Sequence, residues 1–269
     1  MENKEYMWSA VPLSKGQLLD VNTNDILFDG KFRKCNVYKG GGGYDHFPML
    51  SNKYFGQPHN LQFIVQLFGC NLDCPYCYVT REGVWSEGNE FSSGQLVKYF
   101  NQTDCTVFHL MGGAPALYMK HWPELIRELK INGKANFLFH SDIMLSEHNY
   151  SEDVLREIAF DRALYAVNIK GVTPEEYERN TRKKMNEKMI WQNLSKMEKN
   201  DVPYYITFTG VSKENTEMFW DQYKIYFGEE LRDKRFADAY TINLIIYNAQ
   251  PHIDDVPWGK QAKKKMETA

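Results

Sequence analysis

From residue 61 onward, short apolar runs alternate with stretches whose apolar residues recur at helical spacing. The runs are 61–67 (LQFIVQL), 106–111 (TVFHLM), 135–141 (ANFLFHS), 163–169 (ALYAVNI), 203–209 (PYYITFT) and 239–246 (AYTINLII). Each has the length of a strand, and several are rich in β-branched and aromatic residues. Between them, Trp122, Leu125, Ile126 and Leu129 fall at i, i+3, i+4 and i+7, with Pro123 tolerated in a first turn and Gly133 at the expected stop. Ser151 predicts the N-cap of a helix over 151–160, whose Val154, Leu155 and Ile158 share a face. Ile190, Leu194 and Met197 predict another, ended by Asn200 and Pro203. These stripes read as core contacts, because a buried helix face accounts for them in full. Strand–helix alternation over six units predicts an α/β fold with a parallel sheet. Right-handed crossovers then leave an open doubly wound sheet or a barrel-like wrap.

The first sixty residues break this pattern. Asn22, Asn24, Asp29 and four glycines at 40–43 interrupt any long element, which predicts short strands and loops packed on the repeating part. The glycine run lacks the strand–helix context of a dinucleotide loop and the Lys-Ser/Thr of a P-loop, so a turn is the better reading than a phosphate cradle. Residues 257–269 carry Lys260 and Lys263 to Lys265 and read as a solvated end. The expected organisation is an irregular N-terminal extension over 1–60, an α/β domain over 61–246 and a tail over 247–269.

Composition narrows the function classes. The 269 residues are 43% hydrophobic and 25% charged, ordinary globular usage that excludes global disorder and a fibrous repeat. Thirty-two basic against thirty-five acidic residues give a net charge of −3, so no whole-chain attraction to nucleic acid is expected. No apolar run approaches the ~18 residues of a membrane span, and the start MENKEYMW is too acidic and polar for a signal peptide. A cytoplasmic protein with no membrane partner is expected.

The cysteines carry the chemistry. Of five, Cys70, Cys74 and Cys77 form a C-x3-C-x2-C loop directly after the first run, at the strand end where α/β folds bind ligands. An odd count at low density favours a reducing compartment and a metal or redox role. Three readings compete. Zinc prefers four closed ligands from paired knuckles, and no second pair exists. A disulfide accounts for two of the three. A four-iron cluster on three thiolates leaves one iron open for another ligand. Cys105 directly precedes the second run, so six strand residues at ~3.3 Å each put it roughly 20 Å from that rim, as a small buried side chain. Cys35, in the irregular segment, has no such anchor.

The loop, placed after the first strand and followed by an aromatic, resembles that of the radical S-adenosylmethionine (radical SAM) superfamily, nearest the glycyl-radical-activase-like branch. The resemblance implies a partial (β/α)6 TIM-like barrel with a [4Fe–4S] cluster on Cys70, Cys74 and Cys77. It implies SAM on the open iron, cleaved reductively to methionine and a 5′-deoxyadenosyl radical that abstracts hydrogen from substrate. Residues 111–115, MGGAP, resemble the family's Gly-Gly-Glu-Pro, with Ala114 where glutamate is usual. That implies that the main chain of Gly112, Gly113 and Ala114 meets the SAM amino group, glycine opening the approach. Residues 168–179, NIKGVTPEEYER, are similar to the branch's D-x-K-G segment, with Asn168 for aspartate. Asn168 and Lys170 share a strand face, and the resemblance directs them to the SAM ribose and carboxylate. Asn193-Leu194 and Asp201-Val202-Pro203 also match that branch.

By the same resemblance Tyr76 and Ile245 lie beside the adenine, and Ser141, taken over His140 and Asp142, closes the third strand near SAM. His109 is expected as a core histidine. Thr207 with Thr209, and Asn243 with Ile245 and Tyr247, share faces able to line a polar lumen. Residues 1–60 carry no part of the likeness.

The expected function is that of a radical SAM enzyme with a single cluster, reduced by an electron donor such as flavodoxin or ferredoxin. No catalytic side chain is assigned, and the substrate, protein, peptide or small molecule, is not written in the chain. The lack of a second cysteine cluster speaks against branches with auxiliary clusters. The competing readings are a glycyl-radical-enzyme activase or peptide modifier, a small-molecule or nucleoside biosynthetic enzyme similar to carboxy-deazaguanine synthases, and a non-catalytic zinc or iron–sulfur binding protein.

Overall fold

The computed structural model describes residues 6–11, 24–36, 46–77, 79, 84–86, 88–146 and 148–242. In chain order they form β1 (Met7–Ala10), β2 (Asn24–Leu27), β3 (Phe32–Asn36), α1 (His46–Phe55), β4 (Leu61–Gln66), β5 (Asn89–Ser92), α2 (Ser93–Asn101) and β6 (Val107–Met111). A 3-10 turn (Pro115–His121) leads into α3 (Trp122–Asn132), followed by β7 (Leu138–Ile143), α4 (Glu152–Ile158), β8 (Ala163–Ile169), α5 (Pro174–Thr181) and α6 (Glu187–Lys199). The last elements are β9 (Tyr204–Thr209), α7 (Lys213–Phe227), α8 (Glu229–Ala237) and β10 (Tyr240–Ile242).

Caps place the helices where the sequence asks for them. Ser92 and Gln95 form a reciprocal capping box at 3.3 and 2.8 Å, and Ser151 accepts the Val154 N–H at 3.3 Å. Gly133 ends α3 as expected. The third strand starts at Leu138, three residues later than its apolar run, because Ala135 and Asn136 remain exposed after that stop.

One sheet runs β10-β9-β8-β7-β6-β4-β3-β2. Its strands from β4 through β6, β7, β8 and β9 to β10 are mutually parallel and lie in chain order, the partial (β/α)6 TIM-like barrel expected. β3 and β2 extend the β4 edge as an antiparallel pair, so the N-terminal extension is part of the same sheet. β1 pairs with β5 in a separate ribbon.

Alternation gives each parallel strand two faces. Phe63, Phe108, Phe139, Tyr165, Ile206 and Phe208 point outward into a core shared with the helices. The inner face carries Gln62, His109, His140, Asp142, Asn168, Thr207 and Thr209, in register across the sheet. At the floor, α1 packs Phe47 and Leu50 on Val107, Leu138, Leu164, Ala166 and Tyr205. This plug is anchored by buried Asp238, which accepts from the Lys53 ammonium at 2.6 Å and the Tyr54 hydroxyl, while its carbonyl accepts from His46 Nε2 at 2.7 Å. The apolar floor leaves the polar chemistry to the opposite rim.

Candidate active site

The cysteine loop leaves β4 at the rim and is stitched down on three sides. The Leu67 N–H donates to Met111 O at 2.9 Å and the Ala114 N–H to Gly69 O at 2.8 Å, which joins the loop to the end of β6. The Gly69 N–H donates to Val84 O at 2.8 Å, and the Asp73 N–H to Thr181 O, the last residue of α5, at 3.0 Å. These bonds explain Gly112 and Gly113 in a way the sequence did not show. Gly113 has φ 52°, and a β-carbon there would lie 2.3 Å from Gly69 O and 2.5 Å from Leu67 O. A β-carbon at Gly112 would fall within the Gln66 side chain. The two glycines let the β6 turn close on the root of the cysteine loop, and both stay half-exposed. Ala114 is buried, its N–H donating to Gly69 O and its carbonyl accepting the Leu117 N–H, so its main chain is already committed.

The three thiols feel one another. Cys70 and Cys77 pack beside Val11, Val79 and Val84, and Cys70 Sγ accepts the Leu72 N–H at 3.4 Å. Burial pushes the Cys77 thiol up to about 12, with Cys74 and then Cys70 adding to it, while the Val79 N–H and the Lys170 ammonium pull it back. A thiolate in that position needs a compensating positive centre, which suits a soft, sulfur-ligated cationic cluster. Among the described residues no three His, Cys, Asp or Glu side chains are gathered around one ion-sized point. The donor chemistry fits such a cluster: three soft thiolates of one loop, each for a different iron, leave the fourth iron open.

Lys170 follows β8 and is buried, its ammonium 5.4 Å from the centre of the buried Tyr76 ring. It lies close enough to Cys77 and Asp142 to act on both charges. Asn168, on the same face, accepts the Thr209 hydroxyl at 3.0 Å. Two positioning residues escaped the sequence analysis. Asn180 donates to Lys170 O at 2.7 Å and Gly210 O at 2.9 Å, and the buried Glu176 carboxylate accepts the Val172 and Ser212 N–H groups at 3.0 and 2.8 Å. Together they clamp the ends of β8 and β9. Their signal was the inner stripe of α5, where Asn180 and Glu176 alternate with Tyr177 and Thr181.

Ser141 is completely buried on the helix-facing side and donates to Leu110 O at 3.3 Å. Its neighbours His140 and Asp142 face the lumen instead. Burial raises the Asp142 carboxyl to about 6, with Lys170 opposing. His109 is buried, as expected of a core histidine, and is tied to its neighbours. Its Nδ1 donates to Gln62 Oε1 at 2.8 Å, and its ring meets His140 edge-on at 4.4 Å. His140 Nε2 is hydrogen-bonded to the Tyr205 hydroxyl at 3.1 Å. Burial pushes His140 down to about 3 and His109 well below its ordinary value, the latter also by the charges of His140 and Arg33. Ile245, with Asn243 and Tyr247, lies outside the described residues, as do the glycines at 40–43 and the lysines of the tail.

Residues 64–224, more than half of the chain, match the family model of the radical SAM superfamily. The chain belongs to that superfamily. Radical SAM enzymes use a [4Fe–4S] cluster and AdoMet (SAM), and they need a reductant. The chain is similar to native anSMEcpe with bound AdoMet at 19% identity and a TM-score of 0.46, over 65% of this chain and 48% of that one. A histidine-tagged anSMEcpe with bound AdoMet gives 17%, 0.44, 65% and 47%. TYW1 with a lysine-pyruvate adduct bound gives 15%, 0.44, 68% and 67%. The chain thus spans about half the length of the anSMEcpe structures it matches. No curated protein matches it. Among the described residues, no helix of this radical SAM chain is long and apolar enough to cross a membrane.

Proposed function

We propose that this chain cleaves SAM reductively at a single [4Fe–4S] cluster and directs the resulting radical at a substrate held over the lumen. The observation that carries the reading is the cysteine loop, whose three thiols and Lys170 act on one another at the rim of a parallel barrel. When bound, the cluster and SAM supply a 5′-deoxyadenosyl radical that abstracts a hydrogen atom. Cys70, Cys74 and Cys77 hold the irons. Gly112 and Gly113 offer half-exposed main chain to the SAM amino group, and Lys170 offers a buried cation to its carboxylate, steadied by the Tyr76 ring. Asn168, held by the Thr209 hydroxyl, is assigned to the ribose. Asp142 and His140 take the lumen position first given to Ser141, and Ile245 keeps its sequence-based assignment beside the adenine.

The test is anaerobic reconstitution followed by reduction with dithionite. About four irons per chain and release of methionine with 5′-deoxyadenosine are expected, and alanine at any of the three cysteines should remove both. Lys170→Ala should retain the iron and weaken SAM binding by roughly tenfold or more, the loss of one partner of a buried charge pair. One zinc per chain with no iron uptake would defeat the proposal.

A further inference from the structure

The corner between α5 and α6 carries charge that the fold does not consume. α5 ends at Arg182 in the left-handed conformation, φ 59°, which turns the chain so that Lys183 and Lys184 follow as exposed residues. Arg179 and Lys188 flank them on the two helices, both exposed. Among the described residues Lys183, Lys184 and Lys188 make no ion pair, whereas Arg179 reaches Glu176 at 3.6 Å. The acids of the neighbourhood are Glu175 and Glu178 further back on α5, Glu187 at the start of α6, and Asp73 on the cysteine loop. Three consecutive cations at the turn itself stand out in a chain of net charge −3.

This corner is the outer wall of the cysteine loop. Thr181 O, one residue before Arg182, accepts the Asp73 N–H at 3.0 Å, and Asp73 directly precedes Cys74. One hydrogen bond and one residue therefore separate the basic turn from a cluster ligand. Asp73 is exposed and Cys70 and Cys74 are half-exposed, so the loop is covered least on this side. Among the described residues no second group of metal-ligating side chains is gathered to act as a relay. Cys35 packs on Ile64 and Met111, and Cys105 is buried in the outer core before β6, so neither can join a second cluster.

We propose that the α5–α6 corner is the docking surface for an acidic electron-carrier protein of the flavodoxin or ferredoxin kind. It deepens the proposed function, on which it rests. One electron passes from the reduced carrier to the cluster, the carrier leaves oxidised by one electron, and no covalent bond changes. Charge complementarity selects the carrier and orients it over the Thr181–Asp73 contact.

The test compares reconstituted wild type with Lys183→Glu/Lys184→Glu. A second double variant, Lys98→Glu/Lys130→Glu, makes the same charge change in the last turns of α2 and α3, toward the floor. Flavodoxin is the probe, measured as Kd by titration at low ionic strength and as reduced donor for SAM cleavage, with dithionite as a small-molecule donor. For the corner variant, flavodoxin Kd should rise about tenfold and flavodoxin-driven cleavage should fall with it. The difference should fade at high salt, and iron content and dithionite-driven cleavage should stay at wild-type level. The floor variant should behave as wild type. An unchanged Kd at the corner or an equal loss in the floor variant would each overturn the docking surface. Absence of SAM cleavage by wild type with dithionite would sink the proposed function instead, and the Kd comparison would still decide the surface.

Discussion

The two faces of the parallel strands are built from different chemistry on one backbone. Outward, Phe63, Phe108, Phe139 and Tyr165 meet ring to ring in sequence across neighbouring strands at 5.5, 6.1 and 5.9 Å, tilted or edge-on, and every one is fully buried. Inward, at positions of opposite parity on the same strands, stand Gln62, His109, His140 and Asn168, held by hydrogen bonds that single out particular partners. The outer face stabilises through apolar area, where an unpartnered polar atom costs free energy. The inner face spends stability by holding ionisable groups in their uncharged forms, and gains a surface that can meet a ligand. A fold of this kind separates its stability from its chemistry by the strand's period of two.

Three substitutions test that division, the largest effect first. Phe139→Ala on the outer face should cost about 4 kcal/mol in denaturant unfolding, through lost burial and the cavity left among Phe108, Trp122, Phe160 and Tyr165. A cost below about 1 kcal/mol would show that the outer face is not the stabilising one.

The adjacent inner residue should act through pH. His140 is held neutral in the fold down to about 3, whereas the unfolded chain takes up its proton near 6.5. The unfolded state then binds more protons, and stability falls as pH drops below 6.5. His140→Gln should remove about 2 kcal/mol of the stability difference between pH 7 and pH 5. An unaltered slope would mean that this imidazole titrates as if exposed.

The third effect has the opposite sign. Asp142 titrates at about 6 in the fold and near 4 when unfolded, so its ionisation costs stability as pH rises through that interval. Asp142→Asn should stabilise the protein without cofactor by about 3 kcal/mol at pH 7.5 and by less than about 1 kcal/mol at pH 4, by thermal or denaturant unfolding. Destabilisation at pH 7.5 would show that the Lys170 interaction outweighs burial, and the inner face would then be less costly than argued.

The strand and helix order was legible because the apolar periods are strong: the run at 163–169 became β8 without a shift, and the Ser151 cap and Gly133 stop fell where their chemistry requires. The cysteine loop was legible from its spacing. Ser141 was misdirected because a strand end offers two faces, and only pairing with β6 and β8 shows that Phe139 and Ser141 look outward while His140 and Asp142 look in. Asn180 and Glu176 were missed because a polar residue on a short helix reads as solvated until its acceptors or donors beyond the ends of two strands are known.

What the amino-acid order determined by itself was local: strand length, helix caps, the three-cysteine loop and its position after the first parallel strand. These depend on backbone propensity and on residues a few positions apart. The tertiary structure decided everything that required two distant segments to meet. It closed the barrel floor with α1 and brought Gly113 within a bond's reach of the cysteine loop. It also placed Thr181 against Asp73 and set Lys170 beside Cys77. Such meetings depend on how strands pair and how much each group loses in leaving water, and neither quantity is carried by a residue's neighbours in sequence.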